Sequence, residues 1–561
     1  MEKIYGRISG LKPSELHNLS RLYKRRVPSR EIITLELGRT LSQISYDIKK
    51  EITLIINRKG RTEIVFVGDS YELPFNDLLE RSRESKYRLR GYRLIHTHIK
   101  NPDLSHPDLV TLLNERLDLI GVLELKDGGI PGRFQIAHIL PSNPQGEMWR
   151  IINYNDLGRV DINFEEFIRD IEHEFERSYF DSGGREEKEG VFLVGFSTKS
   201  RIEAEESVEE LKELARSAGK VVLDKTIQIR KQIDPKYLIG KGKLEEIILK
   251  AKQVGADTLI FDVELTPTQV RAISEETNLS VMDRTQLILD IFAERAKTSE
   301  GKIQVQLAQL RYMLPRLTGR GVELSKLGGG IGTRGPGEQK LEEQRRRLRE
   351  RIGHLEKQIE ELSRRREHTR KQRRETGIPT VTLIGYTNVG KSTLFNALTR
   401  SGVTVENKLF STLNPTTRKL MLPSGREILL TDTVGFIRNL PKELVKAFRA
   451  TLEELGGSSL LIHVADASDP LVEEKIYSVE KILDESGYSS IPRFIVFNKM
   501  DSSSKEVIDM FLKVFNAPLI SALNKDNLTV FLQRLDVEIE KLTFYKQKEE
   551  SSSNYLREIK V

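Results

Sequence analysis

An α/β multidomain architecture is what this sequence predicts, and three observations carry the prediction. A phosphate-binding loop pattern, G-x-x-x-x-G-K-[ST], stands between a strand and a helix at residues 385–392. Strand and helix signals alternate from Val191 to Ala296. Two segments with a/d-type apolar spacing flank a glycine-rich connection. The expected order is an α+β N-terminal extension, a small α/β domain, a long antiparallel αα-hairpin and a P-loop domain with a mostly parallel sheet. The corresponding segments are 1–185, 190–300, 301–376 and 378–544, with a polar tail at 545–561. A chain of 561 residues has room for three or four such domains.

Composition narrows the setting. The absence of cysteine excludes disulfides and thiolate metal sites and suits a reducing cytosol. The N-terminus lacks an apolar signal-like run, and no stretch of about 18 apolar residues occurs. A soluble, cytoplasmic protein without a transmembrane segment is expected. The net charge of +7 is local: residues 340–374 hold 14 Lys and Arg against 7 Asp and Glu, leaving 76 of each sign elsewhere. A concentrated basic stripe points to nucleic acid, whereas a solvated helix face with i,i+4 ion pairs is the simpler alternative.

In the extension, Glu51 to Ile56 and Thr62 to Val67 read as a hairpin around Asn57-Arg-Lys-Gly60. Beyond it come His96-Thr-His98 and Ser105-His-Pro-Asp108. This order, His-x-His and then Ser-x-x-Asp, resembles the JAMM metalloprotease and RadC-like pattern. The resemblance implies His96, His98 and Asp108 as Zn²⁺ ligands and Glu51 as the group that handles water. Imidazole and carboxylate donors suit zinc with an open water position. Two features depart from the pattern: six residues separate His98 from Ser105 where seven is common, and Ile99 replaces the usual proline. A domain that keeps the scaffold without the metal is the alternative.

Within the small α/β domain, Val191–Gly195 and Thr258–Phe261 read as strands, and Glu206–Ala218 and Thr266–Thr277 as helices. Ile239-Gly-Lys-Gly-Lys243 opens a helix and reads either as a phosphate grip or as a solvent-facing helix start. The hairpin helices follow from Ile303, Leu307, Leu310, Leu314 and Leu317, and from Leu341, Leu348, Ile352, Leu355, Ile359 and Leu362. The second should run about 45–50 Å at 1.5 Å per residue. Eight of the twenty residues from Thr318 to Gly337 are glycine, punctuated by Arg320, Lys326 and Arg334. Such a loop permits close backbone approach with cations at hand for phosphates, or serves as a plain linker.

The P-loop domain carries four motifs at predicted strand ends. Gly385, Tyr386, Thr387, Asn388, Val389, Gly390, Lys391, Ser392 and Thr393 form the phosphate loop and its helix start, with Lys391 for the β/γ-phosphates and Ser392 for Mg²⁺. Asp432, Thr433, Val434 and Gly435 bring a carboxylate near the Mg²⁺ shell and an N–H to the γ-phosphate. Asn498, Lys499, Met500 and Asp501 end another strand. A carboxylate there accepts two hydrogen bonds from guanine, which adenine does not offer. Ser521, Ala522 and Leu523 would supply an N–H to guanine O6. GTP and GDP are therefore the expected ligands, in preference to ATP.

These motifs, the α/β segment and the loop Gly328, Gly329, Gly330, Ile331, Gly332, Thr333, Arg334, Gly335 closely resemble the HflX family of ribosome-associated GTPases. The resemblance covers roughly Val191 to Leu542. It implies binding of GTP and Mg²⁺, and docking on the large ribosomal subunit and its rRNA through the hairpin loop. It also implies ribosome dissociation or rescue under stress, with no DNA partner. The expected locations are the cytoplasm and the ribosome, with peripheral membrane contact as a further one, and the chain is expected to be monomeric. One local departure is Gly337-Glu-Gln-Lys-Leu-Glu342, where the family often reads Gly-Glu-Thr-Gln-Leu-Glu.

The family's effector segment matches Phe410, Ser411, Thr412, Leu413 and Asn414, which makes Thr412 the second Mg²⁺ ligand. The residues alone leave Thr412, Thr416 and Thr417 open. Ras-like enzymes orient the attacking water with a glutamine after the Asp-x-x-Gly motif, and here that position is Phe436. Slow intrinsic hydrolysis is expected, with the missing group supplied by the ribosome or by K⁺ near Asn388, a position that coordinates K⁺ in related GTPases. Two other readings are a GTP-gated binding module and a tRNA-modifying GTPase of the TrmE type. The lack of cysteine argues against the latter.

Overall fold

The computed structural model describes residues 3–69, 73–78, 88–99, 101–141, 143, 145–181, 188–277, 279–317, 336–375, 377–399, 409–410, 415–438, 455–503 and 517–542. The glycine-rich connection and Ser411, Thr412, Leu413 and Asn414 lie outside the described residues. Packing divides the chain into two compact units. One comprises 1–215, 219–265 and 269–282, and the other 216–218, 266–268 and 283–561.

The first unit holds two sheets. Seven strands, β1 (Tyr5–Gly6), β2 (Ile52–Asn57), β3 (Thr62–Val67), β4 (Tyr92–His98), β5 (Leu119–Leu125), β6 (Pro131–Ile139) and β7 (Trp149–Tyr154), pair in the order β1-β3-β2-β4-β5-β6-β7. β2 and β3 form the expected hairpin, with Ile52 opposite Val67. β4 lies antiparallel to β2 and parallel to β5. The helices that flank this sheet in sequence include α1 (Leu35–Ile48), α2 (His106–Asn114) and α3 (Phe164–Asp181). Leu54, Ile55, Leu94, Ile95, Val122 and Phe134 fill its core.

The second sheet of this unit contains β8 (Gly190–Ser197), β9 (Val221–Ile229), β10 (Thr258–Phe261) and β11 (Ser280–Asp283), ordered β11-β10-β8-β9. Its connecting helices include α4 (Arg201–Ser217) and α5 (Lys241–Gln253), and a further helix, Pro267–Glu276, lies between β10 and β11. β8 pairs in parallel with both neighbours and is buried along its length, as a continuous Val-Phe-Leu-Val run requires. The two sheets share a boundary at α5. Gln253 Nε2 donates to the carbonyls of Leu140 (2.9 Å), Pro141 (3.3 Å) and Glu147 (2.8 Å). Arg116 donates to Lys252 O, and Leu249 joins the apolar core of the seven-stranded sheet.

In the second unit, α6 (Arg284–Arg295) leads to α7 (Ser299–Arg316), which packs along α8 (Pro336–Glu375). At 40 residues, α8 is about 60 Å long. It exceeds the expected length because it continues past the last apolar seam residue, Leu362, to Glu375. Leu355 is buried on it, while Arg346, Arg347, Arg349 and Arg351 are exposed.

A five-stranded sheet follows: β12 (Thr380–Ile384), β13 (Thr416–Met421), β14 (Glu427–Asp432), β15 (Leu460–Asp466) and β16 (Arg493–Asn498), ordered β13-β14-β12-β15-β16. Only β13 runs antiparallel to its neighbour. Helix α9 (Lys391–Thr399) leaves the loop after β12, α10 (Val472–Glu485) precedes β16, and α11 spans 528–542. No described helix is long and apolar enough to cross a membrane.

Candidate functional site

The phosphate loop stands at the C-terminal edge of central strand β12. Its shape depends on two glycines. Gly385 (φ 144°) lies so close to β15 that a Cβ would meet Val464 O at 2.2 Å. At Gly390 (φ 90°) a Cβ would meet Asn498 Nδ2 at 2.3 Å. Lys391, the first residue of α9, is buried and donates to Gly385 O (3.0 Å) and Tyr386 O (2.7 Å). Burial pushes its pKa down to about 8. Ser392 Oγ donates to Asp432 Oδ2 at 2.7 Å, both side chains being buried. This hydroxyl–carboxylate pair is the hard-oxygen donor set that Mg²⁺ prefers.

The Asp432–Gly435 segment lies against the loop. Phe436 N donates to Gly385 O (3.0 Å), and Thr387 N donates to Phe436 O (2.7 Å). Thr433 Oγ1 donates to Leu383 O. A Cβ on Gly435 would stand 2.8 Å from Thr387 Cα. Phe436 itself is buried and offers no polar atom beyond its backbone. Asn388 is exposed with φ 61°, and Val434 and Thr393 are half-buried beside the loop.

At the edge toward β16, Asn498 ties the base-recognition loops together. Its Nδ2 donates to Val389 O (2.9 Å), and its Oδ1 accepts from Ala522 N (2.9 Å). Of the Ser521–Leu523 segment expected to offer an N–H to guanine O6, the Ala522 N–H is thus engaged by Asn498. Asp501 is exposed, and a hydrogen bond from Ser521 holds its carboxyl below the usual range. Lys499 (φ 64°) pairs with Asp466 at 2.7 Å, Met500 N donates to Ile520 O, and Leu523 is exposed.

A second constellation forms in the other unit at the end of β4. Strand alternation places His96 and His98 on one face. Ser105 N-caps α2 in a capping box, so Asp108 turns back toward β4. Its Oδ1 is 3.8 Å from His96 Nδ1, and its Oδ2 is 3.5 Å from His98 Nε2. The ligand-type atoms of the three residues lie within 4.8 Å of one another. His98 Nδ1 faces the carbonyls of Asn101 (2.9 Å) and Asp103 (3.2 Å), which leaves Nε2 toward Asp108. Ser105 donates to Asp108 Oδ2 from its N (2.8 Å) and its Oγ (2.6 Å). Gln135 accepts from Leu104 N and pins the loop that is one residue short.

His96 is buried, and burial lowers its pKa to about 4, so the ring is neutral at pH 7. Its buried Nε2 has no hydrogen-bond partner among the described residues. The Thr53–His96 register brings Glu51 opposite His98, where Glu51 Oε1 accepts from Ile99 N (3.2 Å). Burial, followed by a hydrogen bond with Asp69, raises the Glu51 carboxyl to about 7. Asp69, which follows Gly68 at the end of β3, was not singled out from the sequence.

The parallel sheet, its phosphate loop and the strand-end motifs define a GTP hydrolase of the P-loop class. The chain is 48% identical over 378 residues to GTPase HflX of Caldanaerobacter subterraneus subsp. tengcongensis, which covers 66% of this chain and 87% of that protein. This chain belongs to the HflX family of GTPases. A second HflX, from Lacrimispora saccharolytica, is 46% identical over 370 residues, or 65% and 88% of the two chains. Family models described as GTP-binding GTPase N-terminal, GTP-binding GTPase Middle Region and 50S ribosome-binding GTPase match residues 205–293, 295–373 and 380–499. A GTP-binding protein from Sulfolobus solfataricus, solved with GDP, is 27% identical over 64% of this chain and 99% of that one, with a TM-score of 0.35.

Proposed function

We propose that this GTPase acts on the large ribosomal subunit and serves to split or rescue ribosomes. The carrying observation is α8, a helix of about 60 Å with Leu355 buried and Arg346, Arg347, Arg349 and Arg351 exposed, next in sequence to the glycine-rich connection. Such a stripe favours a phosphate backbone over a protein surface. The family description "50S ribosome-binding GTPase" supports the same partner. The functional division is the extension 1–185, the α/β domain 190–300, the hairpin 301–376 and the GTPase domain 378–544. The working form is a cytoplasmic monomer.

For hydrolysis, Lys391 and the loop N–H groups bind the phosphates, and Asp501 orients guanine. Ser392, with Thr412, would hold Mg²⁺, which when bound neutralises charge on the β/γ-phosphates. Phe436 cannot align water, so turnover is slow until the ribosome docks. Asn388 offers an exposed amide oxygen to K⁺ as a further stimulus. Sedimentation of ribosomes with GTP, GDP or a non-hydrolysable analogue tests the reading, using the full chain and a variant shortened at residues 328–337. Nucleotide-dependent splitting that the shortened variant loses is the expected result. Normal splitting by that variant would refute the docking loop. Equal splitting by GTP and the analogue would assign hydrolysis to resetting.

We also propose that the extension binds Zn²⁺ through His96, His98 and Asp108. The neutral His96 ring favours this reading over a metal-free scaffold: its Nδ1 lies 3.8 Å from the buried Asp108 carboxylate, and its Nε2 has no hydrogen-bond partner among the described residues. Zinc would supply Lewis acidity there. Glu51, with its pKa near 7, can take up or deliver a proton at its carboxylate. Elemental analysis of the full chain should give about one zinc per chain, lost in His96→Ala. Absence of stoichiometric metal in the parent would end this proposal.

A further inference from the structure

We infer that helix α6 is a two-armed clamp on the segments flanking the γ-phosphate position, and that Arg284 and Arg295 are positioning residues for GTP hydrolysis. α6 begins at Arg284 and ends at Arg295. At one end, Arg284 Nη2 donates to Arg438 O at 3.1 Å, three residues beyond Gly435. At the other, Arg295 Nη1 donates to Phe410 O at 3.2 Å, two residues before Thr412. Phe292, one turn earlier, packs on Phe410 with ring centroids 4.6 Å apart, both rings being buried. Phe410 has φ 59°, a left-handed conformation that needs surrounding contacts to persist. One rigid helix thus holds a backbone carbonyl from each of the two segments that must rearrange around the nucleotide.

The arrangement implies motion when GTP binds. Gly435 lies against Thr387, and the Lys391 ammonium is turned onto the loop carbonyls. A γ-phosphate between Lys391 and the Gly435 N–H requires Gly435 to withdraw. Phe436 and Arg438 follow it along the chain, releasing their ties to the loop, among them the bond from the Arg438 N–H to Tyr386 Oη at 2.6 Å. The pull reaches Arg284, and its neighbour Asp283 connects it to the hairpin. Asp283 caps α6 by accepting from Gln286 N, and it also accepts from Tyr312 Oη (2.5 Å) and Arg316 Nη2 (3.1 Å). Tyr312 and Arg316 belong to the last turns of α7, immediately before the glycine-rich connection. Coupling is reciprocal, so force on the hairpin also repositions both segments. This route lets the state of the hairpin bias both segments, whatever docks on it.

The chain's lack of cysteine permits a clean test. Met313, exposed on α7, is replaced in Met313→Cys and labelled with an environment-sensitive fluorophore. Its signal is compared between GDP and a non-hydrolysable GTP analogue, and kcat and KM for GTP are measured alongside. The expected result is a nucleotide-dependent signal that Arg284→Ala and Tyr312→Phe abolish, with Arg284→Lys retaining part of it. Arg284→Ala and Arg295→Ala should each lower kcat by about tenfold, within ordinary coupling, with KM little changed. A signal that persists in Arg284→Ala, or a rise in KM with kcat unchanged, would overturn the clamp. Tyr312→Phe retains the ring and guards against a folding defect: if it melts as the parent does and its signal is intact, the hairpin link fails.

Discussion

At the phosphate loop a buried lysine stands among inward backbone groups. At the end of β4 two histidines face a buried aspartate. Both sites sit where a strand hands over to a helix N-terminus, and both contain a basic side chain whose pKa is lowered by burial. The outcomes are opposite. Lys391 is destabilised as a cation near pH 8, so an anion best relieves it. His96 is held neutral down to about pH 4, with a ring nitrogen available, so a cation suits it. One desolvation effect therefore selects ligands of opposite sign, according to whether the buried base remains charged at pH 7.

The largest expected effect breaks only one side of this comparison. Lys391→Ala should reduce GTP turnover by about 10²–10³-fold, the cost of removing a preorganised donor at developing charge. Zinc content, measured on the same sample, should be unchanged. Asp501→Asn should weaken GTP binding by roughly 10–100-fold through a lost charge-assisted hydrogen bond. It should also improve xanthosine triphosphate, whose extra carbonyl accepts from the new amide. Competition binding with both nucleotides reads this. On the metal side, Ser105→Ala removes the hydroxyl that orients Asp108 and should weaken zinc about tenfold in chelator competition.

The mildest effect concerns pH. Because Lys391 in the nucleotide-free protein has a pKa near 8, GTP affinity should be flat from pH 6 to 7.5. It should then fall about fivefold from pH 8 to 9, as binding must restore the proton. Stability moves the other way. The folded pKa lies below the unfolded value, so the nucleotide-free fold gains stability as pH rises from about 8 toward 10.5. Titration calorimetry and thermal melts across this range check both signs.

The nucleotide motifs at 385–392, 432–435 and 498–501 were legible because each is contiguous and ends a strand whose apolar run is itself readable, whereas Ser521–Leu523 follows an isolated bridge at Leu519. In the small α/β domain, at Thr258–Phe261, the predicted and observed bounds coincide. His96, His98 and Asp108 came from the resemblance of His-x-His and Ser-x-x-Asp to the JAMM and RadC-like pattern, and the fold brings the three side chains together. Contacts set by packing were not. Arg284 and Arg438 are 154 residues apart, and nothing local to either marks the pairing. Helix α4 starts at Arg201 instead of Glu206 because Ser200 accepts from Glu203 N, a capping signal present in the sequence but outweighed by the apolar period.

The triple acceptance of Gln253 by Leu140, Pro141 and Glu147 bears on how this chain could be shortened. One amide nitrogen serves carbonyls that lie more than a hundred positions upstream, and Leu249 on the same helix is buried against residues of the seven-stranded sheet. Cutting the chain ahead of β8 would therefore leave a raw apolar facet and a donor without acceptors on α5, inside the region that the family models recognise. A trimmed version that behaves well in solution would need α5 rewritten along that facet, with polar residues in place of Leu249 and its neighbours.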